Sequence, residues 1–484
     1  MRFLGIFFLS YWLLVQSVWA KEPRLPAGLS NNNEPVLPTG LTQKGLEHRN
    51  DSGKEPTMPD GLFSISEPTQ SKKLGSNTSI PKSWADQLPF KLSGFWEARG
   101  GMRVINDLHE RQTSIAETRL QLRLNKTVQK TTFNLITDLI YDRVANNYPV
   151  HLNSGRGFID LREASITFSP ARFIDIKPGR QILTWGTGDL IFINDLFPKD
   201  FNALFIGRDE VYVKAPSDAV KASLFSRWAN LDIVYTPEFD ADRLIDGRRI
   251  SYFSPVLGEI AGRNAIVHSN KPKDGELALR LYRNMGSVEA AVYFYEGHWK
   301  SPGGINPNNG FALFPKLRVT GGSVRGSVGR GVGNIEVGYY DSRDDRKGNN
   351  PFVNNSEFRA LVGYEQEIAR NLTLGTQYYL EHLFDYSNYQ NTLPIGFPQR
   401  DQNRHLLTTR LTLLTHSQNT TWSLFSYYSP SDMDFYLRPK VNHKINDRWI
   451  TELGGNIFGG RKDYTLFGQF QNNSNVYLSI RYGF

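Results

Sequence analysis

Arginine side chains recur at even spacing in the first stretches of this 484-residue sequence where polar and apolar residues alternate. Arg99 and Arg103 lie in one such stretch, and Arg119 and Arg123 lie in the next. Alternation with period two places successive side chains on opposite faces of a β-strand, so these guanidinium groups share the polar face of two strands. Permanent positive charges along one wall of an enclosed space can orient and filter charged solutes.

Carboxylates and further arginines occupy the polar face of later stretches. The candidates for a pore-lining wall are Arg99, Arg103, Glu117, Arg119, Arg123, Asp138, Arg280, Arg359, Arg410 and Arg481. Two hypotheses follow: the charges pair with one another and brace the wall, or they form a transverse field that selects solutes. The net charge of +8, or +7 once Arg2 is removed, favours a weak preference for anions.

The stretch from Trp185 to Phe201 is too apolar to extend into water and too long for a hairpin turn. We expect it to fold back into the space that a closed sheet encloses and to form a constriction loop there. Its phenylalanines would pack against the inner face of the sheet. Its polar residues would then face the lumen: Asp189, Asn194, Asp195, Lys199 and Asp200. The spacing of the three aspartates does not match the Asp-x-Asp-x-Asp-Gly calcium loop, so no metal site is predicted.

Motifs for catalysis are missing from the sequence. It has no cysteine, which excludes disulfides, thiolate metal sites and cysteine nucleophiles. Its nine histidines are scattered, with no Gly-x-Ser-x-Gly and no His-Glu-x-x-His. We therefore predict that the protein is not an enzyme and needs no cofactor. Nucleic-acid binding is not expected, because basic and acidic residues interleave along the strands without forming a basic stripe.

The C-terminal residues indicate which elements position these side chains. Val476, Leu478, Ile480, Tyr482 and Phe484 alternate with Tyr477, Ser479, Arg481 and Gly483. A strand that is apolar on one face, polar on the other and ends in an aromatic residue is typical of the last strand of an outer-membrane β-barrel. We expect Phe484 and Tyr482 to act as the signal read by the barrel-assembly machinery. An edge strand of a soluble sheet is the alternative.

Alternating stretches follow one another from about residue 90 to the C-terminus, joined by short turns and long polar connections in turn. This asymmetry is typical of the periplasmic and extracellular ends of a membrane barrel. The fold predicted is therefore all-β: a transmembrane antiparallel β-barrel of 18 strands, with 16 as the alternative. The strand assignment is ambiguous at 157–186, 209–237 and 430–472. Barrels of 16 to 18 strands leave an aqueous channel inside.

The first 89 residues differ from the rest. Residues 1–20 have a positive start, an apolar core and small residues before a cleavage site, which predicts a signal peptide. Residues 21–89 are predicted to be a disordered, Pro-rich periplasmic linker. They contain three related units: Glu22-Pro-Arg-Leu-Pro-Ala-Gly-Leu29, Glu34-Pro-Val-Leu-Pro-Thr-Gly-Leu41 and Glu55-Pro-Thr-Met-Pro-Asp-Gly-Leu62. These units are either a solvated spacer or docking motifs for a periplasmic partner.

Several barrel segments resemble bacterial porin-like outer-membrane proteins related to the alginate-export porins. They are Gly94-Phe-Trp-Glu-Ala-Arg-Gly-Gly101, Glu117-Thr-Arg-Leu-Gln-Leu122, Gly179-Arg-Gln-Ile-Leu-Thr-Trp-Gly186, Phe467-Gly-Gln-Phe470 and Asn475-Val-Tyr-Leu-Ser-Ile-Arg-Tyr-Gly-Phe484. The resemblance covers about residues 90–484. It implies a monomeric barrel of about 18 strands that serves as a diffusion channel in the outer membrane of a Gram-negative bacterium.

Three functions are compatible with such a barrel. The first is a porin-like channel for diffusion or export of small polar solutes, including anionic ones. The second is an accessory barrel of an export system, docked to a periplasmic or inner-membrane partner through residues 21–89. The third is a barrel enzyme, which the missing motifs disfavour. The expected surroundings are outer-membrane lipid and lipopolysaccharide.

Overall fold

The structure is a computed structural model that describes residues 90–145 and 149–484. The predicted signal peptide at 1–20 and the linker at 21–89 with its three repeats lie outside the described residues. Within the described part of the chain, no helix is long and apolar enough to cross a membrane.

Eighteen antiparallel strands form one closed sheet. They are β1 (Lys91–Arg103), β2 (Thr113–Val128), β3 (Thr131–Asp142), β4 (Ile159–Ala171), β5 (Ile174–Ile182), β6 (Pro216–Leu224), β7 (Asn230–Thr236), β8 (Glu276–Met285), β9 (Val288–His298), β10 (Lys316–Val328), β11 (Gly331–Ser342), β12 (Glu357–Ala369), β13 (Leu372–Leu383), β14 (Asn403–Thr415), β15 (Thr420–Ser429), β16 (Asp434–Lys444), β17 (Trp449–Gly460) and β18 (Asn475–Gly483). Each strand pairs with the next one along the chain. The predicted barrel is confirmed.

The last strand closes the barrel against the first. Residues Phe95 to Arg103 of β1 pair in order with Gly483 to Asn475 of β18. The pairing continues to the C-terminal residue, where the backbone N–H of Gly94 donates to the carbonyl oxygen of Phe484 at 2.9 Å. Since the ring closes at eighteen strands, the alternative of sixteen is wrong.

The stretches that were ambiguous in sequence contain strands β4 to β7, β16 and β17. Their pattern is weak for a physical reason: several of their inward positions are apolar, because they contact protein instead of water. Ala219 of β6, Val234 of β7 and Tyr436 and Phe458 of β16 and β17 are all buried on that face. An apolar residue on both faces removes the alternation on which a strand prediction depends.

The connections differ in length between the two ends of the barrel. At the end that holds the start of β1 and the end of β18, the turns cover 129–130, 172–173, 225–229, 286–287, 329–330, 370–371, 416–419 and 445–448. At the other end, the connections cover 104–112, 143–158, 183–215, 237–275, 299–315, 343–356, 384–402, 430–433 and 461–474. Short turns mark the periplasmic end and long loops mark the extracellular end.

The outer surface of the wall is apolar. On β18 the outward residues Val476, Leu478 and Ile480 are 44%, 60% and 38% exposed, whereas the intervening Tyr477 and Ser479 are buried. Outward apolar residues that recur around a closed barrel form a continuous apolar band. Exposure of so large a band to water costs free energy, so its surroundings are the hydrocarbon of a membrane. The chain is an outer-membrane barrel, as its sequence predicts.

Short elements occur within the long connections. Helix α1 (Phe201–Phe205) and the 3-10 helix Glu210–Val213 belong to the connection at 183–215. Helix α2 (Tyr386–Thr392) and the 3-10 helix Gly468–Asn473 belong to later loops. Paired segments add a small hairpin, Tyr252–Ser254 with Glu259–Ala261, and a small sheet of Ser269–Asn270, Ala312–Leu313 and Gly304–Ile305.

Candidate functional site

Residues 183–215, which we call the inner segment, connect β5 to β6 through the interior of the barrel. The carbonyl oxygen of Gly207 accepts a hydrogen bond from Arg99 of β1. The backbone N–H of Asn194 donates to Glu336 of β11 at 2.8 Å, and that of Asp189 donates to Gln377 of β13 at 2.8 Å. Strand β1 lies across the ring from β11 and β13, so a segment that reaches all three crosses the lumen.

Tyrosine hydroxyl groups of the wall hold the backbone of the inner segment. Tyr340 of β11 donates to the carbonyl oxygen of Ile193. Tyr427 of β15 donates to that of Leu190 at 2.9 Å, and Tyr436 of β16 donates to that of Leu204 at 3.0 Å. These bonds satisfy carbonyl groups that have no sheet partner inside the barrel. The wall therefore fixes the path of the segment through its backbone.

The apolar side of the inner segment packs on aromatic rings of the wall. The ring of Phe205 in α1 lies 5.3 Å from that of Tyr436 and 5.3 Å from that of Phe458, in both cases edge to face. Tyr436 in turn stacks on Phe458 at 4.4 Å. Such pairs contribute roughly 0.5–1.5 kcal/mol each beyond the burial of their area. The segment is thus part of the protein core.

Two glycines allow the inner segment to lie this close to the wall. Gly207 has a φ of +80°, and a Cβ atom there would lie 2.1 Å from the ring of Tyr477. A Cβ atom on Gly321 of β10 would lie 1.9 Å from the side-chain oxygen of Asn194. Any larger residue would displace the segment. The missing side chains of Gly207 and Gly321 therefore make room for the inner segment.

Ion pairs join the second half of the inner segment to the wall. The carboxylate of Glu210 lies 3.2 Å from Arg410 of β14 and 3.2 Å from Arg438 of β16. The neighbouring Asp209 lies 3.2 Å from Arg481 of β18. Three strands and one loop are tied together by these contacts.

Two further ion pairs join the inner segment to β2 and to β14. Arg208 lies 2.5 Å from Glu117 of β2. Near the start of the segment, Asp189 lies 2.5 Å from Arg410. We call the contacts of Asp189, Arg208, Asp209 and Glu210 with the wall the ion-pair ring. Because the groups are largely shielded from water, each pair is stronger than a surface pair and its disruption costs more.

The pKa of Glu210 makes the ion-pair ring sensitive to acid. Burial opposes ionisation, but Arg410 and Arg438 outweigh it and lower the pKa of Glu210 from 4.5 to about 2. A carboxylate with a depressed pKa stabilises the folded state above its unfolded pKa, and this contribution is lost as the pH falls from about 4.5 to about 2. Its size at neutral pH is on the order of 3 kcal/mol, since one pKa unit corresponds to about 1.4 kcal/mol.

We predict that the Glu210→Gln variant is less stable than the wild type at pH 7 and loses less stability between pH 7 and pH 3. The measurement is the urea midpoint of the heat-modifiable folded band at both pH values. Asp447→Asn is the control, because Asp447 pairs with Lys444 on an exposed turn, where an ion pair contributes little. Equal pH dependence in wild type and Glu210→Gln would contradict the prediction.

The structure places the predicted pore-lining residues on the inner face of the wall, and most of them are paired. The pairs are Arg99 with Glu97 and Glu452, Arg119 with Glu117 and Asp138, Arg280 with Glu289, Arg359 with Glu357, Arg410 with Asp189 and Glu210, and Arg481 with Glu97 and Asp209. Arg103 donates to Asn473 at 3.1 Å, and Arg123 donates to Gln121 at 2.6 Å. Pairing that braces the wall accounts for these contacts.

The polar residues predicted for the constriction loop lie in the inner segment, but most of them face protein. Asn194, Asp195, Lys199 and Asp200 are buried, and Asp189 is partly exposed. Lys199 lies 2.9 Å from Asp195, and Asp200 accepts a hydrogen bond from the backbone of Ala203 at the start of α1. The expectation was that these side chains face an aqueous lumen. The four buried ones instead contact protein and hold the fold of the segment.

Several residues that matter to this arrangement were not predicted. Arg208, Asp209 and Glu210 lie seven to nine residues beyond the end of the predicted loop at Phe201. On the wall, Arg438 pairs with Glu210, and Glu336 accepts the backbone N–H of Asn194. A run of three adjacent charges within an otherwise apolar connection was a signal for the first three. Arg438 lies in a stretch where the alternation was ambiguous.

No model of a known protein family matches the chain, and no curated protein matches its sequence. The chain is similar to OccAB3 of Acinetobacter baumannii, with 11% identity over 81% of this chain and 98% of that one and a TM-score of 0.48. It is also similar to OccK3 (OpdO) of Pseudomonas aeruginosa, with 9% identity over 81% of this chain and 95% of that one and a TM-score of 0.48. A mutant of the Rh. blastica porin is similar with 10% identity over 82% of this chain and 100% of that one and a TM-score of 0.35.

At these identities the likeness concerns the fold alone. The relation to alginate-export porins is not shown by these comparisons and stays a prediction. The expectations that the protein is not an enzyme and holds no metal or cofactor stay predictions as well. The outer-membrane β-barrel rests on the closed sheet and its apolar outer face.

Proposed function

We propose that the barrel is an outer-membrane channel through which small polar solutes diffuse, with a weak preference for anions. The observation that carries the proposal is closure at eighteen strands. Side chains fill the interior of an eight-stranded barrel, whereas a ring of this width leaves a passage that its own wall cannot fill. The inner segment would narrow that passage and set the size of solute that enters.

On the periplasmic side of the inner segment, the inner face carries charged side chains without an ion-pair partner in the described part of the chain. Arg123 of β2 and Arg325 of β10 lie in the periplasmic half of their strands, and neither has a carboxylate within ion-pair distance among the described residues. Glu365 of β12 and Asp175 of β5 are inward carboxylates on that side of the inner segment without an ion-pair partner in the ranges that the structure describes. They offset the two arginines, so the proposed preference for anions rests on the net charge of +8 and is weak.

The test is single-channel recording of the refolded mature protein in a planar bilayer, with the reversal potential measured under a salt gradient. We expect steady openings and a reversal potential on the anion side. The double variant Arg123→Gln/Arg325→Gln should shift the reversal potential toward the value of a cation-selective channel. The control Arg172→Gln/Arg330→Gln removes the same charge from two exposed turns and should leave it unchanged.

A folded, heat-modifiable barrel that never conducts would overturn the channel. A reversal potential that the Arg123/Arg325 variant does not change would overturn the contribution of these two arginines to selectivity. The alternative of an accessory barrel depends on residues 21–89, which lie outside the described part, and it stays a prediction.

A further inference from the structure

A large cavity lies on the extracellular side of the inner segment. Its volume is about 950 Å³. The floor is the apolar side of the inner segment: Leu190, Ile191, Phe192, Phe201, Leu204 and Phe205. The sides are formed by the extracellular loops and by the upper ends of strands β12 to β15. We call this space the outer cavity.

The lining of the outer cavity is apolar although it is formed largely by extracellular loops. The loop at 343–356 contributes Phe352, and the loop at 384–402 contributes Phe397, whose ring lies 6.4 Å from that of Phe352, edge to face. The hairpin of Tyr252–Ser254 and Glu259–Ala261 carries Val256 and Leu257 at its tip, and both line the cavity. Loops at a membrane surface meet water, so aromatic and aliphatic residues that face one another across an open space need an occupant.

The charged groups of the outer cavity are already paired. They are Glu381 and three arginines, and each arginine lies within 3 Å of a carboxylate: Arg359 with Glu357, Arg400 with Glu357 and Glu381, and Arg404 with Asp432. The positive charges are balanced by an equal number of negative ones. A charged ligand would have to displace one of these pairs, whereas an uncharged ligand would not. The lining therefore favours an uncharged molecule.

We propose that the outer cavity is a binding site for an uncharged, largely aromatic or aliphatic small molecule that arrives from outside the cell. The volume is in the range that encloses a drug-sized ligand, roughly 300–1,000 Å³. A ligand on this floor would contact the inner segment and would reduce the ion current of the channel. The binding itself does not depend on the proposed conduction.

The test is a titration of the full-length protein in lipid nanodiscs with N-phenyl-1-naphthylamine, a neutral aromatic fluorophore. Protein-free nanodiscs give the signal that comes from partition into lipid. We expect a saturable component of one site per barrel. The Phe352→Asn and Phe397→Asn variants should each weaken it by roughly tenfold, because each removes one buried aromatic contact.

Ile395→Asn is the matched control. Ile395 lies two residues from Phe397 in the same loop, is fully exposed and does not line the cavity. It makes the same change from an apolar residue to asparagine, so its affinity for the fluorophore should equal that of the wild type. The folded fraction of every variant is checked by heat modifiability. If an asparagine variant fails to fold, Val267→Trp replaces it, because Val267 lines the cavity and a larger side chain would fill it.

The anionic fluorophore 1-anilinonaphthalene-8-sulfonate tests the charge preference. We expect it to bind at least about tenfold more weakly than the neutral compound. No saturable component above protein-free nanodiscs, equal affinity in wild type and cavity variants, or tighter binding of the sulfonate would each overturn the proposal. A barrel that binds the neutral fluorophore but never conducts would overturn the channel and leave the binding site in place.

Discussion

Replacement of residues 184–214 by a short Gly-Ser linker is expected to raise the single-channel conductance roughly threefold or more, because a barrel of this width has an aqueous interior once nothing crosses it. Strands β5 and β6 are adjacent and antiparallel, and the pair Ile182 and Pro216 lies at their extracellular end. A short linker can therefore join them without strain. The expected result also includes a loss of ion selectivity, since the constriction would be removed.

Removal of the inner segment also removes a core, so the fold of the variant must be measured. The wall should survive, because its ladders are formed between strands and not through the segment. Heat modifiability and urea midpoints report this, and we expect a folded barrel of lower stability. A control that shortens the loop at 384–402 in the same way should leave conductance nearly unchanged. Unchanged conductance after loss of the inner segment would show that the segment is not what limits the current.

Substitution of Val362 by arginine is expected to destabilise the folded barrel by roughly 2–4 kcal/mol, the cost of a cationic side chain at the middle of the lipid face. Val362 is 54% exposed and lies near the middle of β12. Its side chain points away from the lumen, because its neighbours Leu361 and Gly363 are buried. The free energy of unfolding in lipid vesicles measures the effect.

Ile368→Arg on the same strand is the control. Ile368 is 49% exposed and lies at the short turn, where arginine can reach the headgroups, so the expected cost is about 0–1 kcal/mol. A similar cost at both positions would contradict the placement of the bilayer around the middle of the strands.

For the charged residues of the wall, the sequence predicts the direction of each side chain but not its partner. The sequence places Arg99, Arg119 and Arg481 on the inward face because alternation fixes the direction of each side chain. It does not say which carboxylate each one meets. Arg481 pairs with Glu97 at 2.6 Å, although 384 residues separate them, because β18 closes on β1.

The number of tyrosines in the chain does not show where in the barrel they lie. The 22 tyrosines of the chain fit the aromatic girdles of a membrane barrel. Many of them instead face the lumen, where they are buried: Tyr282, Tyr293, Tyr295, Tyr340, Tyr379, Tyr427, Tyr436 and Tyr477. The hydroxyl groups of Tyr340, Tyr427 and Tyr436 donate to the backbone of the inner segment. Those of Tyr293, Tyr295 and Tyr379 have partners on the wall itself. Composition counts the aromatic residues but does not distinguish a ring at the lipid surface from a ring in the core.

Local periodicity and turn chemistry were sufficient for the barrel itself. The direction of a side chain along a strand is a steric property of two or three residues, and a long apolar band fixes which face meets lipid. The spacing of such stretches favoured eighteen strands but left sixteen open, because apolar residues occupied both faces of several strands; closure of β18 on β1 decided the number. The inner segment could be recognised as too apolar for a surface loop.

Only the tertiary structure decided what the inner segment does with its polar groups. Asp209 reaches Arg481, and Glu210 reaches Arg410 and Arg438 across the lumen. Such contacts depend on which strands face one another once the ring has closed. No property of neighbouring residues encodes that distance, so the sequence determined the wall and its two faces, and the closed barrel determined the pairs inside it.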